Sequence, residues 1–504
     1  MQVLNSITIS RKEVAMDIVE VGGRIAMSPA GGPLFAVAER LAYSDAVREP
    51  VLRFIDRQLQ ANLDRNDQLP PALRRITRER KLMGLAIFHA VERTLKQKTL
   101  SPQVVHALMD IFVRTLLLPS SVKQPANSTF KGEFGCEPPW FITISPGHAC
   151  NLRCTGCYAN SGPTAAKLSW PIFDRVITEA KELWGDRFIV ISGGEPLAYR
   201  SDGKGLLDVV EKHSDCMFLM YTNGTLIDRE TAARLGRLGN LLPAISVEGM
   251  RERTDERRGV GVFDRILDAM ANLREVGVPF GISVTATRLN SAEILSDEFL
   301  DFFFDQQAAV FGFIFHYMPI GRSFTLDLMP TPEQRIELWR RSWEVIEQRH
   351  ILLIDFWNHG TAVQGCISAG REGGYLYIDW NGKVMPCVFA PYSVANIQDI
   401  YAQGGTLNDV WKAPFFQAIR QWQRDYGYGH SEPLKEGNWL RPCPIRDHYR
   451  MFRELIDRYQ PEPEDEAARQ ALEDEDYYKG LVAYGMDIGE FSQDIWEGKY
   501  LGQR

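Results

Sequence analysis

No apolar run in the chain reaches the roughly 18 residues that a membrane-spanning helix needs, so no transmembrane segment is expected. The amino terminus lacks a basic stretch followed by an apolar one, which argues against a signal peptide. Positive charge is not in excess either: Lys and Arg total 57 against 65 Asp and Glu, a net charge of −8. A basic footprint for nucleic acid is therefore missing. Cysteine is sparse, with eight in 504 residues, and its clustering favours metal ligation over a disulfide framework. A reducing, cytoplasmic setting suits thiols used in that way. What remains, 45% hydrophobic and 24% charged, is ordinary for a globular protein. The length suggests about three domains.

Three of the cysteines lie in Cys150-Asn151-Leu152-Arg153-Cys154-Thr155-Gly156-Cys157-Tyr158, the spacing Cys-x3-Cys-x2-Cys. Soft thiolates at short spacing on a loop bind iron–sulfur clusters or zinc. A closed structural site needs four ligands, and no fourth cysteine follows in this loop. Three thiolates on a [4Fe–4S] cube leave one iron free for a non-protein ligand. Tyr158 adds an apolar shield against water. Downstream, Gly193-Gly194-Glu195-Pro196 offers backbone shapes closed to other residues and lets a ligand approach the main chain.

On these two motifs the chain resembles a radical S-adenosylmethionine (radical SAM) enzyme. The resemblance implies that Cys150, Cys154 and Cys157 hold the cluster and that its open iron chelates SAM. It implies that Gly193, Gly194, Glu195 and Pro196 bind the SAM amino group, with Glu195 accepting from the ammonium. Ser246 and Glu248 then bond the ribose hydroxyls. Arg258, in Arg257-Arg258-Gly259-Val260-Gly261-Val262-Phe263, matches the family's Arg-Gly-x-Gly-x-Phe pattern, and its fork suits the SAM carboxylate. Asn223 and Thr285, at strand ends, are further candidates, and the Met318–Gly321 turn would face the adenine.

Taken in order, residues 1–130 read as a helical region with long apolar-rich segments at Leu82–Leu95 and Val104–Leu118. The face of Leu108, Ile111, Phe112 and Leu116 reads as packing against the next domain, or as a surface for membrane or an apolar substrate. Ser120–Asn127 reads as a polar linker. From Phe141, strand-like runs at Phe141–Ser145, Phe188–Ser192, Phe218–Thr222, Pro243–Val247, Phe280–Thr287 and Phe313–Met318 alternate with helical segments. Those segments include Trp170–Trp184, Asp228–Leu238 and Phe263–Val276. Such alternation predicts a parallel α/β sheet with crossover helices, with chemistry at the carboxyl ends of its strands. The unusual polar and glycine-rich punctuation falls on that rim. The family arrangement is a partial (β/α)6 barrel, placed at 131–360.

Cys366, Cys387 and Cys443 form a second constellation. Asn381-Gly382 between strand-like arms signals a hairpin that carries Cys387 back towards Cys366. This resembles the opening half of a SPASM domain, placed as a small α+β module at 361–450. The later cysteine run of that domain is missing, so one auxiliary [4Fe–4S] cluster of the twitch type is expected. Its fourth ligand is left between Cys136, His448 and a substrate atom. Cys216 reads as a core residue. Residues 451–504 read as an acidic, aromatic-containing tail. Pro461–Asp476 reads as a solvated acidic helix or linker, and Tyr477–Leu501 is able to dock onto the body. Asp355, inside the apolar run Ile351–Trp357, is a candidate base with a raised pKa. His316, Tyr317 and Arg322 are candidate substrate-side groups, whereas His359 and His430 have no partner that singles them out.

The resemblance implies an enzyme that cleaves SAM to methionine and a 5′-deoxyadenosyl radical, which abstracts hydrogen from an unactivated C–H bond. The expected substrate is a peptide or lipid-like molecule, the expected electron donor a reduced flavodoxin or ferredoxin, and the setting cytoplasmic with peripheral membrane contact left open. No cobalamin-binding Asp-x-His-x-x-Gly motif is present, which weighs against a cobalamin-dependent methyltransferase. The rival reading is a non-catalytic electron-transfer or zinc-structured scaffold, separable from the enzyme by metal analysis.

Overall fold

Alternating β-branched and aromatic runs pair where one face can be buried, and all six expected strands form. They are β1 (Phe141–Ile144), β2 (Phe188–Ile191), β3 (Met217–Thr222), β4 (Leu241–Val247), β5 (Gly281–Ala286) and β6 (Phe311–His316). The computed structural model describes residues 123–429 and 437–503 throughout, the helix at 71–96, and scattered positions between 49 and 105. A further strand, β7 (Leu352–Asp355), pairs parallel to β6, and β1 to β7 run parallel in sequence order. Crossover helices include Trp170–Trp184, Arg229–Leu238 and Val262–Glu275. The second is started by Asp228, whose carboxylate accepts from Thr231 N at 2.8 Å.

Beyond residue 360 the same sheet gains three further strands. Strand β8 (Tyr375–Ile378) pairs in parallel with β1, Phe141 opposite Tyr375, and antiparallel β9 (Lys383–Met385) and β10 (Ala395–Asn396) complete ten strands. The edge of β1 would otherwise offer unpaired N–H and C=O groups. The carboxyl-terminal module thus continues the barrel wall. Inside that wall Val190, Leu219, Ala244, Phe311 and Phe313 form a core of their own. Gly281 is needed there, because a Cβ would lie 2.2 Å from the Phe311 ring.

Both ends of the described chain are bound into the body. Glu79, buried on the helix Pro71–Lys96, accepts from Arg75 Nε at 2.7 Å, Thr361 Oγ1 at 2.6 Å and Tyr500 Oη at 2.7 Å. Residues 451–503 are bound into the body as well. The helix Glu475–Ile495 packs on the body, Trp496 and Tyr500 are buried, and Tyr477 Oη donates to Pro319 O at 3.0 Å. The acidic stretch contains the helix Glu466–Glu473, held by buried Ala468 and Ala471.

The expected linker at Ser120–Asn127 is corrected in its second half, where a helix spans Lys123–Phe134. Phe130 and Phe134, one turn apart, anchor it against Trp411. Leu108, Ile111, Phe112 and Leu116 lie outside the described residues, as does His430. Among the described residues no helix is long and apolar enough to cross a membrane.

Candidate active site

The cysteine loop lies beyond the carboxyl end of β1 and is clamped from two sides. On one side a Cβ at Gly194 would meet Ala149 O at 2.2 Å, so only glycine permits this approach. Gly194 N and Glu195 N donate to Gly147 O at 3.0 Å and Ala149 O at 2.8 Å. On the other side Gly321 would place a Cβ 2.1 Å from Tyr158 O. Arg322 donates from its backbone to Cys157 O at 2.9 Å and from Nη1 to Cys154 O at 2.7 Å. Arg322 therefore braces the loop; the expectation that it faces substrate is corrected, because its donors point into the loop backbone.

Cys150, Cys154 and Cys157 are free thiols, half-buried, and line one cavity of about 640 Å³. Burial, partly offset by the Leu152 amide, pushes the Cys150 thiol up to about 11, and Cys154 and Cys157 are close enough to add to the rise. Leu152 N donates to Cys150 Sγ at 3.4 Å. The same local turn recurs at Cys366, facing Ser368 N, and at Cys387, facing Phe389 N, both at 3.4 Å. Amide hydrogen bonds to sulfur tune iron–sulfur clusters, so the donor set and its local turns fit such a group. Among the described residues no three His, Cys, Asp or Glu side chains stand close enough together to share a single metal ion.

Gly193, Gly194, Asn223, Ser246, Thr285 and Arg258 line the same cavity. Asn223 Nδ2 approaches Cys150 Sγ at 3.8 Å and donates to Asn151 Oδ1 at 2.9 Å. Glu195 departs from expectation. It is 1% exposed, and its carboxylate already accepts from Thr222 Oγ1 at 2.8 Å, Asn223 N at 2.8 Å and Leu197 N at 3.1 Å. Its place is that of a strut between the ends of β2 and β3, with Pro196 beginning a short 3₁₀ turn behind it.

Glu248 is likewise 1% exposed. Its Oε1 takes Arg257 Nη1 at 2.5 Å and Arg258 Nε at 2.9 Å, while its Oε2 is buried without a protein partner. Unlike Arg257 and Arg258, Glu248 does not itself line the cavity. Arg258 stands beside Cys154 and Cys157. Arg257 was missed by sequence reasoning although it also lines the cavity. The Arg-Arg doublet was the available signal. Tyr158 Oη meets Ser192 Oγ at 2.5 Å and accepts from Gly193 N at 3.2 Å, which ties the aromatic shield to the glycine turn.

Deeper in, the reading of Asp355 as a base with a raised pKa is corrected. Burial pushes its pKa up, but His316 and His359 and backbone donors outweigh burial and hold the carboxyl well below the usual range. Asp355 Oδ2 accepts from Asn358 Nδ2 at 2.8 Å and faces His316 Nε2 at 3.0 Å. Its Oδ1 accepts from Trp357 N and Asn358 N at 3.0 and 2.9 Å. Held by these donors, it is a fixed anion that positions His316, which lines the cavity with Tyr317 and Met318. Tyr317 Oη donates to Ser323 O at 2.9 Å.

Burial pushes His359 and His448 each down to about 4, and His316 also falls. A histidine whose folded pKa lies below its unfolded value near 6.5 stabilises the fold fully above that value. This contribution is lost as pH falls through the folded pKa. The melting temperature should therefore drop between about pH 6.5 and 4, and His359→Gln should make the slope shallower in a series of thermal melts.

Cys366, Cys387 and Cys443 open onto this same cavity. Burial pushes Cys387 up to about 12 and Cys443 up to about 11, and each feels Cys366. Tyr375 Oη lies 3.0 Å from Cys387 Sγ. Neither Cys136 nor His448 is among the residues lining the cavity. Cys136 is half-buried, with Arg420, Glu372 and Arg424 near it. His448 Nε2 donates to Arg441 O at 2.9 Å, its ring held by Trp422 and Tyr426. Cys216 is fully buried in the core. Cys387→Ala should lower iron by one cluster's worth, about four atoms per chain, in a colorimetric iron assay.

A barrel rim with three thiols, a glycine turn pressed on their loop and a second thiol trio across one cavity defines a class. The chain belongs to the radical SAM superfamily, whose model matches residues 144–295. It is a radical SAM enzyme, with SAM and [4Fe–4S] clusters as its cofactors. A second model, the SPASM iron–sulfur cluster-binding domain, matches residues 366–432, a span that holds Cys366 and Cys387 and ends before Cys443.

Among its relatives is the mycofactocin maturase MftC of Mycobacterium tuberculosis, 31% identical over 304 residues, 57% of this chain and 74% of that protein. The Fe-coproporphyrin III synthase of Methanosarcina barkeri is 32% identical over 147 residues, 29% of this chain and 36% of its own. The crystal structure of Streptococcus suis SuiB bound to precursor peptide SuiA aligns with a TM-score of 0.49 at 20% identity, covering 59% of this chain and 70% of that one.

Proposed function

We propose that this enzyme cleaves SAM reductively to methionine and a 5′-deoxyadenosyl radical that takes a hydrogen atom from an unactivated C–H bond of a peptide or lipid-like substrate. The observation that carries this reading is the convergence of both thiol trios on one cavity. Cys150, Cys154 and Cys157 would hold the SAM-binding [4Fe–4S] cluster, and Cys366, Cys387 and Cys443 one auxiliary cluster. Gly193, Gly194 and Asn223 shape the wall beside the first trio. Ser246 and Arg258 would supply polar contacts for the nucleoside and carboxylate, with Glu248 holding Arg258 in place.

Kinship with a maturase supports a peptide substrate; the aromatic barrel lining supports an apolar reacting group. The chain's share of the work is to orient that group and exclude water. Reduced flavodoxin or ferredoxin is the proposed electron source, and the cytoplasm the proposed setting. The test is anaerobic reconstitution with iron and sulfide, then SAM and dithionite. Methionine and 5′-deoxyadenosine should form in equal amounts, and formation of neither would refute the reading.

A further inference from the structure

We propose that the barrel lumen beneath the cysteine rim takes an unbranched hydrocarbon chain, so that the substrate is of the acyl type. The inference rests on the hydrogen-abstraction reading and names the substrate class for that site. The cavity is divided by chemistry along the strands. Its formally charged side chains, Arg257, Arg258 and Asp355, all sit at or beyond the carboxyl ends of strands. Lower down the lining becomes mainly apolar, with Phe188, Val190, Leu219, Phe313, Leu352 and Ile354, and the hydroxyl residues Thr143 and Ser283 stand at the same level, opposite Val190 and Phe313. These are alternate positions of their strands, brought side by side by the register: Val190 lies opposite Leu219, and Phe313 opposite Ile354. The Phe313 ring stacks on Phe356, with centroids 5.7 Å apart, and meets Tyr221 edge-on at 5.6 Å.

An extended peptide would bring one N–H and one C=O per residue into this lumen, and buried backbone groups need partners. The backbone of the wall is already committed to the ladder of parallel strands. A hydrocarbon chain needs no such partner and loses only its contact with water.

The way in has the same character. Ile87, on the helix Pro71–Lys96, and Val363 both line the cavity while 52% and 46% exposed, so the cavity opens between them. Arg80 Nε donates to Ala362 O at 3.1 Å and fixes the helix beside this mouth. Val91, one turn beyond Ile87 and 51% exposed, extends the apolar edge.

The experiment is equilibrium dialysis of tritiated palmitate against the reconstituted holoenzyme. The expected result is saturable binding that weakens at least tenfold in both Leu219→Gln and Val190→Gln. Two variants are used so that one misfolded protein does not decide the matter. Vesicles of palmitoyl phosphatidylcholine that compete for the site would identify a bilayer lipid as the source. Lack of competition would identify a free acid, and both outcomes uphold the chain. Absence of saturable binding, or equal affinity in both variants, would overturn it. A wild-type protein that makes 5′-deoxyadenosine but ignores palmitate sinks this inference alone; one that binds palmitate but never makes 5′-deoxyadenosine sinks the reading beneath it.

Discussion

Cys154→Ala should lose one cluster and with it all SAM cleavage. Reconstituted iron should fall from about eight to about four atoms per chain, and 5′-deoxyadenosine should drop below detection. The loss should be specific, because what fixes the loop at this position is backbone. Cys154 O accepts from Arg322 Nη1 at 2.7 Å, and the next amide, Thr155 N, donates to Arg257 O at 3.0 Å. Alanine keeps both contacts. The fold should therefore stay within about 1 kcal/mol of the parent, as for most substitutions away from the core. Cys216→Ala is the control, since that thiol is buried in the outer core and should leave iron unchanged. Colorimetric iron together with chromatography of the nucleoside checks both halves of the expectation.

Arg335→Ala should be the most destabilising single change, by about 3–5 kcal/mol. Arg335 and Asp447 are fully buried and paired two-to-two, Nη1 to Oδ1 at 2.5 Å and Nη2 to Oδ2 at 3.0 Å. Nη2 also donates to Leu440 O at 2.9 Å. Burial pushes Asp447 up, but Arg335 and Arg446 outweigh burial and keep it well below the usual carboxylate range. Without Arg335 the buried carboxylate loses both guanidinium hydrogen bonds and keeps Arg446, 3.6 Å away, and the Cys443 amide.

The damage should reach a cluster ligand, because Asp447 Oδ2 accepts from Cys443 N at 3.1 Å and Asp447 N donates to Cys443 O at 2.8 Å. Urea unfolding should show the stability loss, and iron analysis a weaker hold on the auxiliary cluster. Arg335→Met combined with Asp447→Leu should recover much of the stability, since removing both charges leaves neither unpaired. A loss under about 1 kcal/mol for Arg335→Ala would mean that the pair is not the joint described here.

How much of this was legible in the sequence depended on how far apart the interacting residues lie. The strands and their helices show in local alternation, and Trp170–Trp184 has the same limits by pattern and by structure. The two thiol trios and the glycine turn were also visible, because spacing carries their chemistry. The pairing of β8 with β1 was not, since Tyr375 meets Phe141 across a long stretch of intervening chain. The roles of single carboxylates were hidden for the same reason. Glu195 looks free until Thr222 and Asn223 are brought onto it, and Asp355 looks like a base until His316 is. Cys136 was a candidate ligand by residue type alone, and its neighbours Arg420 and Arg424, far along the chain, could not be read from spacing.

The central claim is that three thiolates at the barrel rim leave an iron able to bind SAM. Its most direct test is electron paramagnetic resonance of the dithionite-reduced, reconstituted enzyme with and without SAM. The signal of the first cluster should change on adding SAM in the parent and in Cys387→Ala, while no such change should be seen in Cys154→Ala. A parent spectrum indifferent to SAM, or a protein that takes up zinc and no iron, would contradict the account.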